Sequence, residues 1–310
     1  MATAGAKLAS RKAHWENRLA RRRAVSTYVM GQVVTYGVLI LISCGLLLPL
    51  FWALSTSLKE YQEVVAFPPV YWPPKPKWEN YYLVLTKMQF LLNFRNTLII
   101  ALGGAISVVT SSTIVAYGFA KGKCPLRDAI FIVVLATMML PGFVTFIPVF
   151  VMFYRLHLTN TFGPFLIPGW LGGGAWNIFL LRQFFKTIPD DLLDAARVDG
   201  ASEMRILGQL VVPLAKPALA TIFLFAFMGG WSDYFGPFIY LTKRELFPFS
   251  LAIARLRFEV ANSAYPGVGG VMTDNVVMAA SLLVSVPLLI LFLFTQQYFI
   301  EGIALTGIRA

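Results

Sequence analysis

Charge is scarce in this chain of 310 residues: only 13% are Asp, Glu, Lys or Arg. Soluble domains carry about 25%, so a freely soluble protein is excluded. Cysteine is nearly absent. Cys44 lies in an apolar run and Cys124 in a short loop, which excludes a disulfide framework. Histidine is equally rare, with His14 near the start and His157 between apolar runs. No H-E-x-x-H or C-x-x-C pair occurs, which removes those zinc and redox chemistries. A phosphate-binding loop is missing as well. Gly122-Lys123 is followed by Cys124 where Ser or Thr is required, and Tyr117 stands where the first glycine belongs. The chain therefore binds no ATP through such a loop, and any ATP dependence must come from a partner.

What is present is apolar length. Hydrophobic residues make up 57% of the chain, gathered in runs near 28–54, 97–119, 129–153, 162–181, 211–240 and 276–300. Each approaches the ~20 residues that cross a bilayer. The expected fold is all-α and integral to the membrane, with six transmembrane helices. An N-terminal arm, residues 1–27, holds Lys7, Arg11, Lys12, Arg18, Arg21, Arg22 and Arg23. By the positive-inside rule this arm is cytoplasmic, and six crossings bring both termini to that side of the plasma (inner) membrane. The first run is too long for a cleaved signal peptide and reads as a signal anchor. The net charge of +11 sits mainly at run ends, where topology explains it, so no nucleic-acid partner is expected. Membrane lipid is.

The arm reads either as an interfacial helix with Trp15 at the headgroups or as a solvated tail. A Pro/aromatic loop, Phe67-Pro68-Pro69 to Pro74, cannot continue a helix and belongs outside. The second run carries Gly103, Gly104, Ala105, Ser107, Ser111 and Ser112, small residues that let helices approach closely in lipid. Pro141 and Pro148 predict a kinked third span. Phe143, Phe146, Trp231, Tyr234 and Phe238 are candidates to stack along a solute path, although with 26 Phe in the chain aromatic packing against lipid is the better default for any one of them. Asp233 is the one ionisable residue near a span interior, beside its outer end. Ion-coupled secondary transporters place such groups deep within spans, so Asp233 is where that rival reading would rest.

Between the fourth and fifth runs lies a charged island, the 187–210 loop, with Asp190, Asp191, Asp194, Asp199 and Glu203 near Arg182, Lys186, Arg197 and Arg205. Pro189 with Asp190 and Asp191 predicts a helix start, since carboxylates favour the positive N-terminal end. Gly200 suits the left-handed residue that ends a helix, and Ser202 suits the start of another. The expectation is helix, tight turn, helix, outside the membrane. Ala195 and Ala196 would let a partner backbone approach, Asp194 would offer a charge, and Gly200 would fix the elbow. A solvated connector with no partner is the alternative.

Ile188 to Ser202, with Asp194-Ala195-Ala196 and Gly200 at its centre, resembles the E-A-A-x-x-x-G coupling loop of carbohydrate-type ABC importer permeases, the MalG-like subunits. Further matches are Leu58-Lys59, Asn80-Tyr81, Asn96-Thr97, Leu158 to Thr161, Trp231-Ser232-Asp233 and Met278-Ala279-Ala280. The resemblance implies a carbohydrate path formed with a second, homologous permease, two ATPase subunits that use ATP and Mg, and an extracytoplasmic solute-binding protein. This chain itself would bind no cofactor and no metal. Asp194, Ala195, Ala196, Asp199, Gly200, Ala201 and Ser202 would form the ATPase contact. The C-terminal residues Thr306–Ala310 would reach the ATPase interface, and Asn262–Gly270 the binding protein. Two departures stand out: aspartate replaces the usual glutamate at 194, and Tyr265–Gly270 is long and glycine-rich.

Overall fold

The computed structural model describes residues 2–262 and 274–307. Helix α1 (Ala2–Ser57) passes residue 27 without a break. The short α2 (Tyr61–Val64) and α3 (Glu79–Lys87) flank the Pro/aromatic loop, and α4 (Phe90–Lys121) follows. Next come α5 (Arg127–Ala136), α6 (Gly142–Arg155), α7 (Gly163–Trp170), α8 (Ala175–Lys186), α9 (Asp190–Val198) and α10 (Glu203–Ile206). A wider i→i+5 turn over Leu207–Val211 leads to α11 (Val212–Leu214) and α12 (Lys216–Ser232). The chain closes with α13 (Phe235–Tyr240), α14 (Phe249–Asn262) and α15 (Asp274–Gly307).

The all-α architecture agrees with expectation, but the spans are less regular than hydropathy implied. Among the described residues, three stretches are long and apolar enough to cross a bilayer unbroken: Tyr28–Ser57, Phe90–Lys121 and Asp274–Gln296. The expected 129–153 span is two helical segments bent by 98° at Leu140-Pro141, and the segments on either side of Ala215 meet at 84°. Counting each bent pair as one crossing gives up to five. Proline accounts for both bends, because it donates no backbone N–H and its ring disfavours helix in the residue before it. Pro141 sits at the first break, and Pro213 and Pro217 bracket the second.

The expected 162–181 span is also divided. Gly172, Gly173 and Gly174 all have positive φ, between 70° and 105°, and separate α7 from α8. Gly173 is needed twice over. Its φ of 70° suits glycine, and a Cβ there would lie 2.5 Å from the Val108 carbonyl oxygen of α4. The close approach of α7–α8 to α4 thus depends on a missing side chain.

Helix α4 is the centre of the packing, in contact with α12, α8 and α7. Its small residues explain why. Ala101 and Ala105 are fully buried, and a Cβ on Gly230 of α12 would lie 2.9 Å from the Ala101 Cα. In lipid, where the hydrophobic effect does not drive helices together, such close contact supplies the attraction. The α1 span, by contrast, leaves its most apolar stretch uncovered and packs chiefly against α15.

At the Phe90 end of α4, neutral side chains stitch the loops. Asn96 donates to the Glu245 and Phe247 carbonyls at 2.8 and 3.2 Å, and the Phe249 N–H donates to the Thr97 hydroxyl at 2.9 Å. Asn160 accepts from the Thr242 and Lys243 N–H groups at 2.7 and 3.1 Å. Asn80 donates to the Ser57 and Lys59 carbonyls, and Asn275 donates to that of Lys59 at 2.8 Å. Asn96 is fully buried, so its bonds satisfy groups that water does not reach, whereas those of Asn160 are exposed.

Candidate coupling site

The island forms at the other end of α4, beyond Lys121. Helix α9 starts at Asp190 with Pro189 as its extended N-cap and two carboxylates in its first turn. It stops after Val198 because Gly200 turns left-handed at φ 79°. The Gly200 N–H then donates to the Arg197 carbonyl and the Ala201 N–H to that of Ala196, both at 3.0 Å. This reciprocal pair is a Schellman closure, which satisfies carbonyls a helix end otherwise leaves open. Ser202 follows in extended conformation as the N-cap of α10, though its hydroxyl makes no capping bond. The helix–turn–helix expected from the sequence is present.

One face of this unit is fixed to the spans. Leu193 is fully buried and Ile206 nearly so, packed with Leu207 and Val211 against Ala116, Tyr117, Ala120, Phe185 and Ile188. Charges reinforce the seam. Lys121 Nζ bonds both Asp190 Oδ1 and the Ile188 carbonyl at 2.7 Å, and the Tyr117 hydroxyl donates to Glu203 Oε2 at 2.6 Å. Arg197 bridges Asp194 at 2.6 Å and Glu203 at 2.8 Å. Arg182, almost wholly buried, donates to Asp128 at 2.8 Å and to the Phe119 carbonyl at 3.1 Å, and it lies over the Phe131 ring. The bond from Lys121 holds the Asp190 carboxyl below the usual carboxylate range.

The opposite face is open. Asp194, Ala195, Asp199, Gly200 and Ser202 are exposed, while Ala196 and Ala201 are half-buried. Among the carboxylates stand three uncovered apolar side chains, Leu192, Val198 (87% exposed) and Met204 (63%). Asp194 is not a free charge, since Arg197 already holds it. The sequence named the charges of the island but missed their ties to Tyr117 and Lys121. Those partners lie 86 and 69 residues away, and no local pattern announces them.

The residues suggested for a solute path do not converge. Trp231 is buried among Phe94, Phe227 and Phe249. Phe143 is exposed. Phe146 contacts Phe235 with ring centres 5.0 Å apart. Tyr234 and Phe238 stack on each other at 5.6 Å. Only Asp233 lines the cavity of about 660 Å³ between α4, α7, α8 and α12, whose other walls include Gly104, Phe165, Trp176, Asn177, Gly229 and Ser232. Three aromatics that the sequence did not single out, Phe165, Trp176 and Phe225, line it beside the glycines and Asn177. The Asn262–Gly270 segment lies outside the described residues from residue 263 on, as do residues 308–310 of the C-terminal tail.

Residues 112–304, which contain the whole island, match the family model described as binding-protein-dependent transport system inner membrane component. The chain belongs to that family. It is a multi-pass inner membrane component of a transport system, a transport subunit. The UgpE permease protein of the sn-glycerol-3-phosphate transport system from Pectobacterium atrosepticum is 31% identical over 265 residues, covering 84% of this chain and 91% of the relative. Its counterpart from Salmonella typhi is 30% identical over 277 residues, covering 87% and 95%. Among solved structures, a chain of a bacterial ABC transporter involved in import of the acidic polysaccharide alginate superposes with a TM-score of 0.76. It is 26% identical, and the match covers 87% of this chain and 96% of that one.

Proposed function

We propose that the chain is one of two permease subunits in a carbohydrate-type ABC importer, with the island as the cytoplasmic contact for its ATPase. The observation that carries this reading is the two-sided elbow. Its inner face is bolted to α4 by Leu193, Ile206 and the Lys121–Asp190 and Tyr117–Glu203 bonds. Its outer face offers Leu192, Val198 and Met204 beside Asp194, Ala195, Asp199, Gly200 and Ser202. A partner seated there moves a rigid unit, and that unit moves the spans. A homologous second permease completes the path, two ATPase subunits hold ATP and Mg, and an extracytoplasmic binding protein delivers the solute. With α7 and α8 together as the sixth crossing, both termini then face the cytoplasm, and the Asn96 end of α4 faces outward. The solutes named for the relatives support a hydroxylated cargo. Asp233 gives the ion-coupled alternative little support, because its Oδ1 accepts the Gly236 N–H at 3.1 Å and so caps the turn into α13.

Gentle detergent solubilisation from the native membrane, with quantification of co-purifying proteins, tests the reading. Wild-type chain should bring down a second permease and an ATPase at two copies per permease pair. Gly200→Val should still bring down both, yet hydrolyse ATP without moving solute. No atom lies within 4 Å of a Cβ at position 200, so the substitution acts through its left-handed φ alone. Recovery of a homo-oligomer without an ATPase would overturn the reading.

A further inference from the structure

We propose that the 660 Å³ cavity selects by charge, admitting uncharged or cationic hydroxylated solutes and disfavouring anionic ones. The inference rests on the importer reading and adds a substrate class to it. The volume lies within the ~300–1,000 Å³ range of small-molecule sites. Trp176, Phe165 and Phe225 supply aromatic surface, with Trp176 and Phe225 meeting edge to face at 5.9 Å. Asn177, Ser232 and Asp233 supply the polar groups. Asn177 is held by its bond to the Gly173 carbonyl at 2.6 Å, and Asp233 by the Gly236 N–H. The polar wall is thus fixed in place rather than swinging freely.

Its charge is one-sided. Among the described residues, Asp233 is the single ionisable side chain in the lining, with no Lys, Arg or His. A phosphate or carboxylate entering this space meets like charge and finds no cation in the wall, which is unfavourable on both counts. A hydroxyl meets a charged acceptor, the stronger kind of hydrogen bond, and an ammonium finds a counter-charge. The relatives' named cargoes, a glycerol phosphate and an acidic polysaccharide, are both anionic, so the inference sets this chain's cargo apart from theirs. The neutral amide of Asp233→Asn removes the charge while its oxygen still accepts the Gly236 N–H, leaving the cap intact.

The test reads the field of the cavity directly and needs no known substrate. The native cysteines, Cys44 and Cys124, are both exposed and are first replaced by Ser. Ser232→Cys in that background, within the assembled transporter, is then labelled with cationic, neutral and anionic methanethiosulfonate reagents. Rates are normalised to the same reagents acting on a free thiol in solution. The cationic reagent should outpace the anionic one by about tenfold or more, the scale of one nearby charge in partly screened surroundings, and Asp233→Asn should bring the ratio close to that of the free thiol. A ratio near the free-thiol value in the Ser232→Cys background, one that persists in Asp233→Asn, or a thiol unreactive to all three reagents would each overturn the inference. Binding-protein-stimulated ATP hydrolysis in the same preparation checks the importer reading separately.

Discussion

The two ends of α4 are tied to their surroundings by different chemistry. At the Lys121 end the ties are charged: Lys121 to Asp190, Tyr117 to Glu203, Arg197 to Asp194 and Glu203, Arg182 to Asp128. At the Phe90 end they are chiefly amide and hydroxyl bonds to backbone, through Asn80, Asn96, Thr97, Asn160 and Asn275. Neutral bonds ignore ionic strength and hold one geometry. Ion pairs with one exposed partner are screened by salt and exchange readily for a competing charge. Asp190 is such a partner, with its side chain 75% exposed against 6% for Lys121. One end of the molecule is therefore built to stay as it is, and the other to be acted upon.

The sharpest way to break this contrast is to remove the apolar anchor that the charges surround. Leu193→Ala should cost about 2–5 kcal/mol of local stability, as expected for a fully buried leucine. Hydrogen exchange should rise across residues 190–211 while the Asn96 end stays protected. Equal loosening at both ends would mean the two regions are not separable.

The neutral end should respond next most strongly. Asn96→Leu leaves the Glu245 and Phe247 carbonyls without their donor, at about 1–3 kcal/mol. Thermal unfolding at low and high salt checks the chemistry as well as the size, since the loss should not change with ionic strength. A salt-dependent loss would contradict the assignment.

The smallest effect, and the most diagnostic, belongs to the Lys121–Asp190 tie. The folded Asp190 carboxyl is depressed by the Lys121 bond, so its contribution is fully present above the ordinary carboxylate pKa of about 3.9. It fades as pH falls from there through the lowered folded value. Lys121→Met should reduce the acid-side loosening of the island and its sensitivity to salt, the remainder belonging to the Arg197–Glu203 pair, whose carboxyl is lowered in the same direction. An unchanged pH profile in the variant would locate the titrating group elsewhere.

How much of this was legible in advance follows the range of each interaction. The elbow was readable because its signals are local: Pro189 and paired aspartates to start a helix, Gly200 to stop it. The bends were half-readable. Pro141 predicted a kink, but a hydropathy window averages over Gly172-Gly173-Gly174 and reports one continuous span where the backbone makes two helices. The anchors were invisible for a different reason. Tyr117 sits in a membrane helix and looks like any aromatic there until the fold brings Glu203 to its hydroxyl. The cavity was missed in the same way, since the rings that line it, Phe165, Trp176 and Phe225, lie on three helices that only the fold brings together.

The three uncovered side chains on the elbow also bear on supply. Leu192, Val198 and Met204 are exposed on the elbow, and in the proposed complex a partner would cover them. A subunit made in excess of its companions would keep displaying them to the cell's chaperones and proteases, while an assembled one would hide them. Under the proposed reading the docking face would double as an inventory check, tying the lifetime of each copy to whether it has found its complex.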